Sequence, residues 1–474
     1  MDYTPPITGH EHREGDLTAM PAPHVSLEPA LLDRYAAESE PWFRRTLGTL
    51  VEHATVSPGG GREADIRRGA EAARDAIREL GGTAELVETS GTPAVVGGFD
   101  APRARATALV YNHLDVQPAD LSTWTKGEPF RFMVEEDLGR RFLYRGRGAT
   151  DDKGPALAAL RAAAYAAAQE LPLDLRFVWE TEEEIGSPHF AEVVEKAKLA
   201  ADFVLVSDSI WPSAAVPAMS TGLRGALQGF FRLRTAAKEA HSGLTGGVAR
   251  NPIRELCLLV AEIHGARFWH EGVIPPAPAE VAGFMGSGFD PEYFKRSFGL
   301  ERLETEVPLE MMLRVWARPT FEVHGLVGGY TGPGLKTAVP KEAELKWSFR
   351  LAHGQEPARL EPALRAFVAA VNPDVEVVIA GRLAPYAGSL DGPACAAVRE
   401  GMRAAFGREP VPVREGGSIG AVAILAERLR KPVAFLPLSL PEHGYHAPDE
   451  FFDWRQAEGG IRAFAHAFAA LARA

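Results

Sequence analysis

The sequence has little cysteine, no long apolar run and no excess of basic residues. Its 474 residues include two cysteines, Cys257 and Cys395, and neither belongs to a Cys-x-x-Cys pair. Two isolated thiols do not form a disulfide framework, so we expect a reducing compartment and a cytoplasmic protein. No stretch approaches the roughly 18 consecutive apolar residues of a membrane span. Residues 1–30 lack the apolar core of a signal peptide, and we expect none.

The balance of charge excludes a further class of function. The chain has 51 Lys and Arg against 63 Asp and Glu, which gives a formal net charge of −12. An acidic chain is a poor candidate for binding nucleic acid or an anionic membrane through its overall field, and we expect neither as a partner. The 46% of hydrophobic residues is typical of a globular protein, and the length predicts two or three domains.

Short apolar runs alternate with helical patterns in the first part of the chain and return near its end. The spacing predicts helices over 31–53, 62–80 and 154–170. It predicts strands over 106–112, 175–180, 203–207 and 433–439. Strands that alternate with helices favour an α/β fold, with a mostly parallel sheet covered by helices on both faces.

The pattern changes after residue 211. The runs 227–233 and 344–351 alternate apolar and polar residues, and helical stretches cover 252–264 and 356–371, which is an α+β pattern. We therefore predict an irregular segment over 1–27, a catalytic domain formed by 28–217 and 388–474, and an inserted domain over 218–387.

Acidic residues and histidines follow the predicted strands of the first domain. They are His113, Asp115, Asp151, Asp152, Glu182, Glu183, Glu184, Asp208, His443 and His446. Ligands of open α/β sheets gather at the carboxyl ends of the strands, so we expect these side chains to share one site.

A pair of divalent metal ions suits these residue types. Asp151, Asp208 and Glu184, together with a bridging hydroxide, would balance the charge of two divalent cations. Imidazole and carboxylate ligands favour zinc, with manganese or cobalt as replacements. His113 and Asp115 are two apart in an extended segment, so they share a face, and Asp115 can accept the second ring N–H of His113.

Longer motifs around these residues make the interpretation specific. In chain order they are YNHLDVQPAD (111–120) with Trp124, GRGATDDKGP (146–155), ETEEEIGS (180–187), VLVSDSIW (204–211), STGLRG (220–225), AHSGLTGG (240–247), GLKTAVP (334–340), FRL (349–351), REGGSI (414–419) and GYHAPDE (444–450). With these motifs the sequence resembles the carnosinase, carboxypeptidase G and acetylornithine deacetylase superfamily of dinuclear metallohydrolases, and within it the carnosinase-like dipeptidases. The resemblance implies a zinc-peptidase-like catalytic domain with an inserted dimerisation and lid domain.

The resemblance also implies a set of metal ligands. His113 and Asp208 would bind one ion, Asp151 would bridge both ions, and Glu184 and His446 would bind the other. Asp152 stands where relatives often carry Asn, and we expect it to accept a hydrogen bond beside the site or to pair with Lys153.

Glu183 would be the general base, which takes a proton from the bridging water and delivers it to the leaving nitrogen. The Ile-Gly-Ser sequence that follows the three glutamates identifies the last two of them as the base and the ligand, so Glu182 has neither role. The assignment shifted by one residue stays open as an alternative. Similarly, the Gly-Tyr-His context favours His446 over His443. Asp115 would orient His113.

The inserted domain would supply groups for the substrate. By resemblance, His241 stabilises the oxyanion from the partner subunit of a homodimer, and Arg350 binds the terminal carboxylate in a planar fork. Gly417 and Ser418 would approach the same carboxylate, and Thr337 is a further substrate-binding candidate.

We therefore predict a dinuclear metallopeptidase that cleaves dipeptides by attack of a metal-bridging hydroxide. The same metal site would serve an N-acyl-amino-acid deacylase of the acetylornithine or succinyl-diaminopimelate type, or an N-carbamoyl-amino-acid hydrolase. A metal-binding protein without catalytic activity is a third alternative, although the sequence retains every ligand and the base.

Overall fold

The computed structural model describes residues 27–137 and 142–474. All of the predicted irregular segment 1–27 except its last residue lies outside these ranges. Within the described ranges, no helix is both long and apolar enough to cross a membrane.

The first part of the chain alternates helices with short strands, as predicted. Its described helices and strands are α1 (Pro29–Glu38), α2 (Glu40–Glu52), α3 (Glu63–Glu79), β1 (Thr83–Val87), β2 (Ala94–Phe99), β3 (Ala106–His113), β4 (Met133–Glu136), β5 (Phe142–Arg145), α4 (Gly154–Ala168), β6 (Leu173–Glu180), α5 (Phe190–Lys196) and β7 (Phe203–Val206). The prediction of one helix over 31–53 was wrong, because α1 ends before Ser39 and α2 begins after it. Pro41 fits the first turn of α2, whereas inside one continuous helix it would remove a hydrogen bond.

The middle part contains longer strands and several helices that begin with proline. Its described helices and strands are β8 (Ala218–Leu223), β9 (Gly225–Arg234), β10 (Ala240–His241), α6 (Ser242–Thr245), α7 (Pro252–Gly265), α8 (Pro278–Gly286), α9 (Pro291–Ser297), α10 (Pro308–Trp316), β11 (Thr320–Gly328), β12 (Ala338–Val339), β13 (Glu342–Leu351), α11 (Pro357–Val371), β14 (Glu376–Leu383) and β15 (Tyr386–Ala387). The fixed φ of proline suits the first helical position, which explains these starts.

The last part returns to the alternating pattern. Its described helices and strands are α12 (Pro393–Phe406), β16 (Val411–Glu415), α13 (Gly420–Leu429), β17 (Val433–Phe435), β18 (Phe451–Asp453) and α14 (Trp454–Leu471). The predicted strand 433–439 is shorter than expected. The backbone N–H of Leu436 still donates to Val206, but Pro437 has no N–H with which to extend the ladder.

A six-stranded sheet in the order β1-β2-β6-β3-β7-β17 forms the centre of the α/β part. The four strands from β6 to β17 run parallel, β2 pairs antiparallel with β6, and β1 pairs antiparallel with β2. Ala108 and Val110 of β3 pack into one core with α4 and α14, and Leu109 and Tyr111 pack into a second core with α5 and α13. The sheet is therefore covered by helices on both faces, which confirms the predicted fold class.

A four-stranded antiparallel sheet in the order β11-β13-β9-β14 lies in the middle part of the chain. Alternate residues such as Leu227, Phe231 and Trp347 turn to one face and pack with Leu256 of α7 and Leu364 of α11. This sheet and its two helices are the α+β unit that the alternating runs predicted. The division at residues 217 and 387 stays a prediction.

Candidate functional site

Three neighbouring parallel strands bring predicted site residues to one edge of the six-stranded sheet. His113 is the last residue of β3, Glu183 and Glu184 follow β6, and Asp208 follows β7. Since β6, β3 and β7 are adjacent and parallel, their carboxyl ends open at the same edge. The sequence places a ligand-type side chain at each of these ends, which is where open α/β sheets bind ligands.

Asp151 lies between two imidazoles. Its Oδ1 is 3.0 Å from Nε2 of His113, and its Oδ2 is 3.1 Å from Nε2 of His446. Asp151 follows Gly148, whose φ of 85° belongs to the left-handed region that glycine adopts without strain. One carboxylate thus faces two separate groups of ligands, as a bridging ligand does.

Two groups of three side chains could each hold a metal ion. They are His113, Glu183 and Asp208, and Asp151, Glu184 and His446, and within each group the ligand atoms lie within 4.8 Å of one another. In the second group, Nε2 of His446 is 3.2 Å from Oε2 of Glu184. Imidazole nitrogens and carboxylate oxygens are the donor set that zinc and similar divalent ions use, so these residues fit a dinuclear site.

The side chain of Asp115 binds the backbone of Glu183 and Glu184. The carboxylate of Asp115 accepts hydrogen bonds from the N–H groups of Glu183 at 3.1 Å and Glu184 at 3.0 Å, and from the hydroxyl of Ser57 at 2.5 Å. Nδ1 of His113 lies 3.0 Å from the backbone carbonyl of Asp115 and 3.5 Å from its carboxylate. Asp115 therefore meets the His113 ring mainly through its carbonyl oxygen, not through the side chain that the sequence suggested.

The electrostatics of the site favour cations. Burial raises the pKa of the Glu183 carboxyl well above its usual value and that of Asp208 to about 7. Burial also acts to raise the pKa of Asp151, but hydrogen bonds from His113 and His446 outweigh it and keep the pKa below its usual value. Because buried carboxylates cost free energy unless positive charge compensates them, two divalent cations fit this cluster.

Glu182 and His443, the alternatives to the assigned glutamates and to His446, bind other side chains. Oε2 of Glu182 lies 2.7 Å from Nδ1 of His189, outside both groups. His443 is buried, with its Nε2 3.1 Å from the carboxylate of Asp453. The structure thus turns neither Glu182 nor His443 toward the candidate metal ligands.

Asp152 accepts hydrogen bonds beside the site and does not pair with Lys153. Its Oδ2 accepts from the side-chain amide of Asn112 at 2.7 Å. The ammonium of Lys153 donates instead to the backbone carbonyls of Leu50 at 2.9 Å and His53 at 3.4 Å. The expected role as an acceptor agrees with this geometry, and the alternative of an ion pair with Lys153 was wrong, because the end of α2 offers that ammonium its carbonyls.

A cavity of about 180 Å³ opens beside the cluster. Asp151, Glu183, Asp208 and His446 line it together with Arg350, Gly417 and Ser418. Arg350 lies in β13 of the four-stranded sheet, and its Nη1 donates to the hydroxyl of Ser418 at 3.1 Å. The structure therefore brings the predicted carboxylate-binding residues and the candidate metal ligands around one space.

His241 and Thr337 lie together in a different place. Both are exposed, and neither is among the described residues that line this cavity. Nδ1 of His241 accepts the N–H of Gly243 at 3.0 Å, and the carbonyl of Thr337 accepts the N–H of Ser242 at 3.0 Å. Within a single chain, the structure does not bring these two predicted substrate-binding residues to the metal ligands.

Glu450 was quoted in the GYHAPDE motif but was given no role by the sequence. It is fully buried, and its carboxylate accepts the N–H groups of Gly148 and Thr150 at 2.9 Å and of Asp151 at 3.2 Å. Nη1 of Arg147 also donates to it at 2.8 Å. Glu450 thereby fixes the loop that presents Asp151, and its place four residues after His446 was the available signal.

Two more polar side chains touch the candidate ligands. The amide of Gln117 donates to Oε2 of Glu184 at 2.7 Å, and the hydroxyl of Tyr445 lies 3.5 Å from Oδ1 of Asp208. Both belong to motifs that the sequence analysis quoted, YNHLDVQPAD and GYHAPDE. Their proximity in the chain to His113 and His446 was the only signal.

The chain is similar to known peptidases. The sequence profile of peptidase family M20/M25/M40 matches residues 109–470. A human protein named Beta-Ala-His dipeptidase is 28% identical over 480 residues, which cover 94% of this chain and 94% of that protein. A Schizosaccharomyces pombe protein named Cys-Gly metallodipeptidase dug1 is 29% identical over 394 residues, which cover 78% of this chain and 81% of that protein.

Solved structures show a similar fold. The crystal structure of human carnosine dipeptidase 1 matches with a TM-score of 0.78 and 26% identity, over 94% of this chain and 100% of that one. The structure of the dipeptidase Dug1p from Saccharomyces cerevisiae matches with a TM-score of 0.84 and 23% identity, over 94% of this chain and 99% of that one. At this identity the second match bears on the fold alone.

Proposed function

The chain belongs to peptidase family M20/M25/M40, whose profile spans residues 109–470, and we propose that it hydrolyses the amide bond of dipeptides with a pair of divalent metal ions. The observation that carries the proposal is the position of Asp151. Its two carboxylate oxygens lie 3.0 and 3.1 Å from the imidazoles of His113 and His446, each of which belongs to a separate ligand group.

We propose the ligands that the resemblance implies. His113 and Asp208 would hold one ion, Glu184 and His446 would hold the other, and Asp151 would serve both. Zinc is the proposed metal, with manganese or cobalt as replacements, because imidazole and carboxylate donors suit all three. When bound, the two ions supply a more acidic water and polarise the carbonyl of the substrate.

Glu183 is the proposed general base. It lines the cavity and lies in the group with His113 and Asp208, while Asp115 fixes its backbone. From this position its carboxylate takes a proton from water and later gives it to the leaving nitrogen. Because Asp151 lies 3.0 Å from His113 and 3.1 Å from His446, it can serve both ligand groups, which would leave Glu183 free for proton transfer.

Arg350 is the proposed anchor for the free carboxylate of the C-terminal residue. Its side chain is half-buried at the cavity wall, and its Nη1 donates to the hydroxyl of Ser418. The planar fork keeps further donors for a carboxylate, and Gly417 allows the substrate close approach to the backbone. An anchor at this end selects substrates with a free C-terminus, as dipeptides have.

His241 and Thr337 are proposed to act across a homodimer, with His241 of one subunit stabilising the oxyanion in the other. Three exposed apolar side chains lie next to them in the chain: Leu244, Val248 and Leu335 are 85, 91 and 98% exposed. Apolar side chains this exposed and this close together favour burial against another chain. A second subunit would cover them and carry His241 toward a cavity.

Hydrolysis by metal-stripped protein, before and after addition of zinc or manganese, tests the function. The substrates are free dipeptides, their N-acetyl and N-succinyl amino-acid counterparts and N-carbamoyl amino acids. We expect metal-restored cleavage of the dipeptides, in keeping with relatives that are named dipeptidases. Metal-restored deacylation without peptide cleavage would overturn the dipeptidase proposal and favour a deacylase.

A further inference from the structure

A second cavity, of about 190 Å³, lies beside the candidate site and is lined mainly by aromatic and aliphatic side chains. We call it the aromatic pocket and define it by Trp211, Phe289, Phe294, Phe298, Val315 and Trp316. We propose that this pocket receives a large apolar side chain of the C-terminal residue of the substrate. The inference rests on the proposed function, since it names the dipeptides that the same site prefers.

The walls of the aromatic pocket come from separate parts of the chain. Phe294 lies in α9 and Trp316 in α10, while Trp211 follows β7. The ring centroid of Phe289 is 5.5 Å from that of Phe294 and 6.0 Å from that of Trp316. Phe298 continues the row at 4.8 Å from Phe294. A row of aromatic rings around an open volume suits an aromatic or branched aliphatic guest.

Three residues line both the aromatic pocket and the cavity at the metal ligands: Ile210, Glu415 and Gly417. Ile210 comes two residues after the candidate ligand Asp208, and Gly417 directly precedes Ser418, which bonds to Arg350. The pocket therefore borders the site between the metal ligands and the carboxylate anchor.

This position selects one side chain of a dipeptide. The Cα of the C-terminal residue lies between the nitrogen of the scissile bond and the terminal carboxylate. With the carboxylate at Arg350 and the scissile bond at the metal ligands, that Cα faces the shared wall. The side chain of the N-terminal residue leaves on the other side of the scissile carbonyl, away from Gly417.

The charged residues of the pocket wall are engaged with protein groups. The guanidinium of Arg414 donates to both carboxylate oxygens of Glu280, at 2.8 and 2.9 Å. The carboxylate of Glu415 accepts the N–H of Ile210 and the hydroxyl of Ser220, both at 3.0 Å. Nη1 of Arg414 is buried and has no hydrogen-bond partner among the described residues, but Glu280 already balances the charge of this guanidinium. Burial of apolar surface is therefore the main source of affinity for a guest side chain.

Paired dipeptides test the inference on the full-length, metal-loaded protein. We expect kcat/KM for Ala-Phe to exceed that for Ala-Gly by at least about tenfold, because a filled apolar pocket discriminates by at least this factor. Peptides with the reversed sequence serve as the comparison. The kcat/KM for Phe-Ala should exceed that for Gly-Ala by a much smaller factor. Equal values for Ala-Phe and Ala-Gly, or a preference only at the N-terminal residue, would contradict the inference.

A substitution ties the preference to the pocket. Phe294→Ala should reduce the ratio of kcat/KM for Ala-Phe to kcat/KM for Ala-Gly by about tenfold. Leu300→Ala is the matched control, since Leu300 is an exposed apolar residue just after α9 that does not line the pocket. A ratio that Phe294→Ala leaves unchanged, or that Leu300→Ala narrows equally, would refute the assignment.

A binding measurement separates failure of this inference from failure of the proposed function. L-Phenylalanine should raise the melting temperature of the metal-loaded protein more than glycine does, and Phe294→Ala should abolish the difference. If no dipeptide is cleaved but this difference is observed, the pocket stands and the dipeptidase proposal falls. If dipeptides are cleaved without side-chain preference and phenylalanine stabilises no better than glycine, the pocket assignment falls alone.

Discussion

The carboxylate of Asp115 accepts a hydrogen bond from the backbone N–H of Glu183, with 3.1 Å between Oδ1 and N. Its other oxygen accepts the N–H of Glu184 at 3.0 Å. Asp115 lies just after β3 and the two glutamates just after β6, so the bonds connect the ends of neighbouring parallel strands. The proposed base and the proposed ligand beside it are thus held in register with His113, the last residue of β3.

The first prediction concerns proton transfer by Glu183. Glu183→Gln should lower kcat by about 10²–10⁴-fold, because an amide cannot accept the proton from water. The metal content of the protein, measured by mass spectrometry, should stay the same. Glu182→Gln is the matched control, because Glu182 faces His189, and it should retain turnover close to that of the unmodified enzyme. Near-normal turnover by metal-loaded Glu183→Gln would exclude Glu183 as the base.

The second prediction concerns the carboxylate anchor. Arg350→Met should lower kcat/KM for dipeptides by about 10–100-fold, as expected for loss of a hydrogen-bonded charge pair worth about 1.5–3 kcal/mol. Arg350→Lys should recover part of the loss, since it restores the charge without the planar fork. Arg232→Met on the neighbouring strand β9 is the control, because Arg232 is exposed and pairs with Glu344. Equal losses in both Met variants would indicate damage to the sheet instead of a lost anchor.

The third prediction concerns Glu450. Glu450→Gln leaves the buried guanidinium of Arg147 without its counterion, so the free energy of unfolding should fall by about 3 kcal/mol. The loop that carries Asp151 also loses its charged acceptor, so metal affinity should fall by about 10–100-fold. Competition with a chelator measures the affinity, and urea unfolding measures the stability.

Asp449→Asn is the control for Glu450→Gln. Asp449 is the preceding residue, and it binds Thr125 and the N–H of Lys126, not the loop at Asp151. We expect it to change metal affinity much less. A Glu450→Gln protein that loses stability but binds metal normally would show that Glu450 supports the fold without positioning Asp151.

The sequence was sufficient to predict the part of the site that follows buried strands. The run 106–112 is apolar except for Thr107 and Asn112, so its strand and the position of His113 at its end could be predicted directly. The same holds for Asp208 after β7. Strand β2 was missed because Gly97 and Gly98 interrupt its apolar pattern. A Cβ at Gly98 would come within 2.1 Å of the carbonyl of Leu175, so only glycine allows β2 to lie against β6.

Other features depend on contacts between distant parts of the chain. Glu450 accepts hydrogen bonds from residues about 300 positions earlier, and no local pattern reports such contacts. The aromatic pocket likewise joins Trp211 to Phe294 and Trp316, which the sequence offers only as scattered aromatic residues. Lys153 appeared able to pair with the adjacent Asp152, but the carbonyls at the end of α2 bind its ammonium in the folded protein.

The fourth prediction concerns pH and Glu180. Burial raises the pKa of this carboxyl from 4.5 to about 8. Between these values the folded protein binds more protons than the unfolded chain, so this group makes the free energy of unfolding fall as pH rises, by at most about 1.4 kcal/mol per pH unit. Glu180→Gln keeps an acceptor for Tyr111 and Ser187 but does not titrate.

Urea unfolding of the metal-free proteins from pH 5 to pH 8 tests this effect. The free energy of unfolding of Glu180→Gln minus that of the unmodified protein should increase as pH rises. Because both proteins carry the same metal ligands, the difference reports the titration of Glu180 together with its coupling to His113 and Asp115. A flat difference for Glu180→Gln would refute the raised pKa.

The last prediction concerns action across the dimer. His241→Ala and Glu183→Gln should each be nearly inactive alone, the first for lack of an oxyanion donor and the second for lack of a base. In a mixed dimer, the subunit with His241→Ala keeps its own Glu183 and receives an intact His241 from its partner. If His241 acts in trans, one of the two sites in every mixed dimer is complete. After full exchange of subunits, about a quarter of the normal activity should return, because about half of the dimers are mixed.

The alternative arrangement gives the opposite result. If His241 acts within its own chain, both sites of a mixed dimer lack one residue, and mixing restores nothing. Sedimentation of the mixture distinguishes this outcome from absence of a dimer, since a monomer cannot exchange. Rescue requires that His241 reach the cavity of a second chain, as its exposed position and its separation from the cavity-lining residues of its own chain suggest.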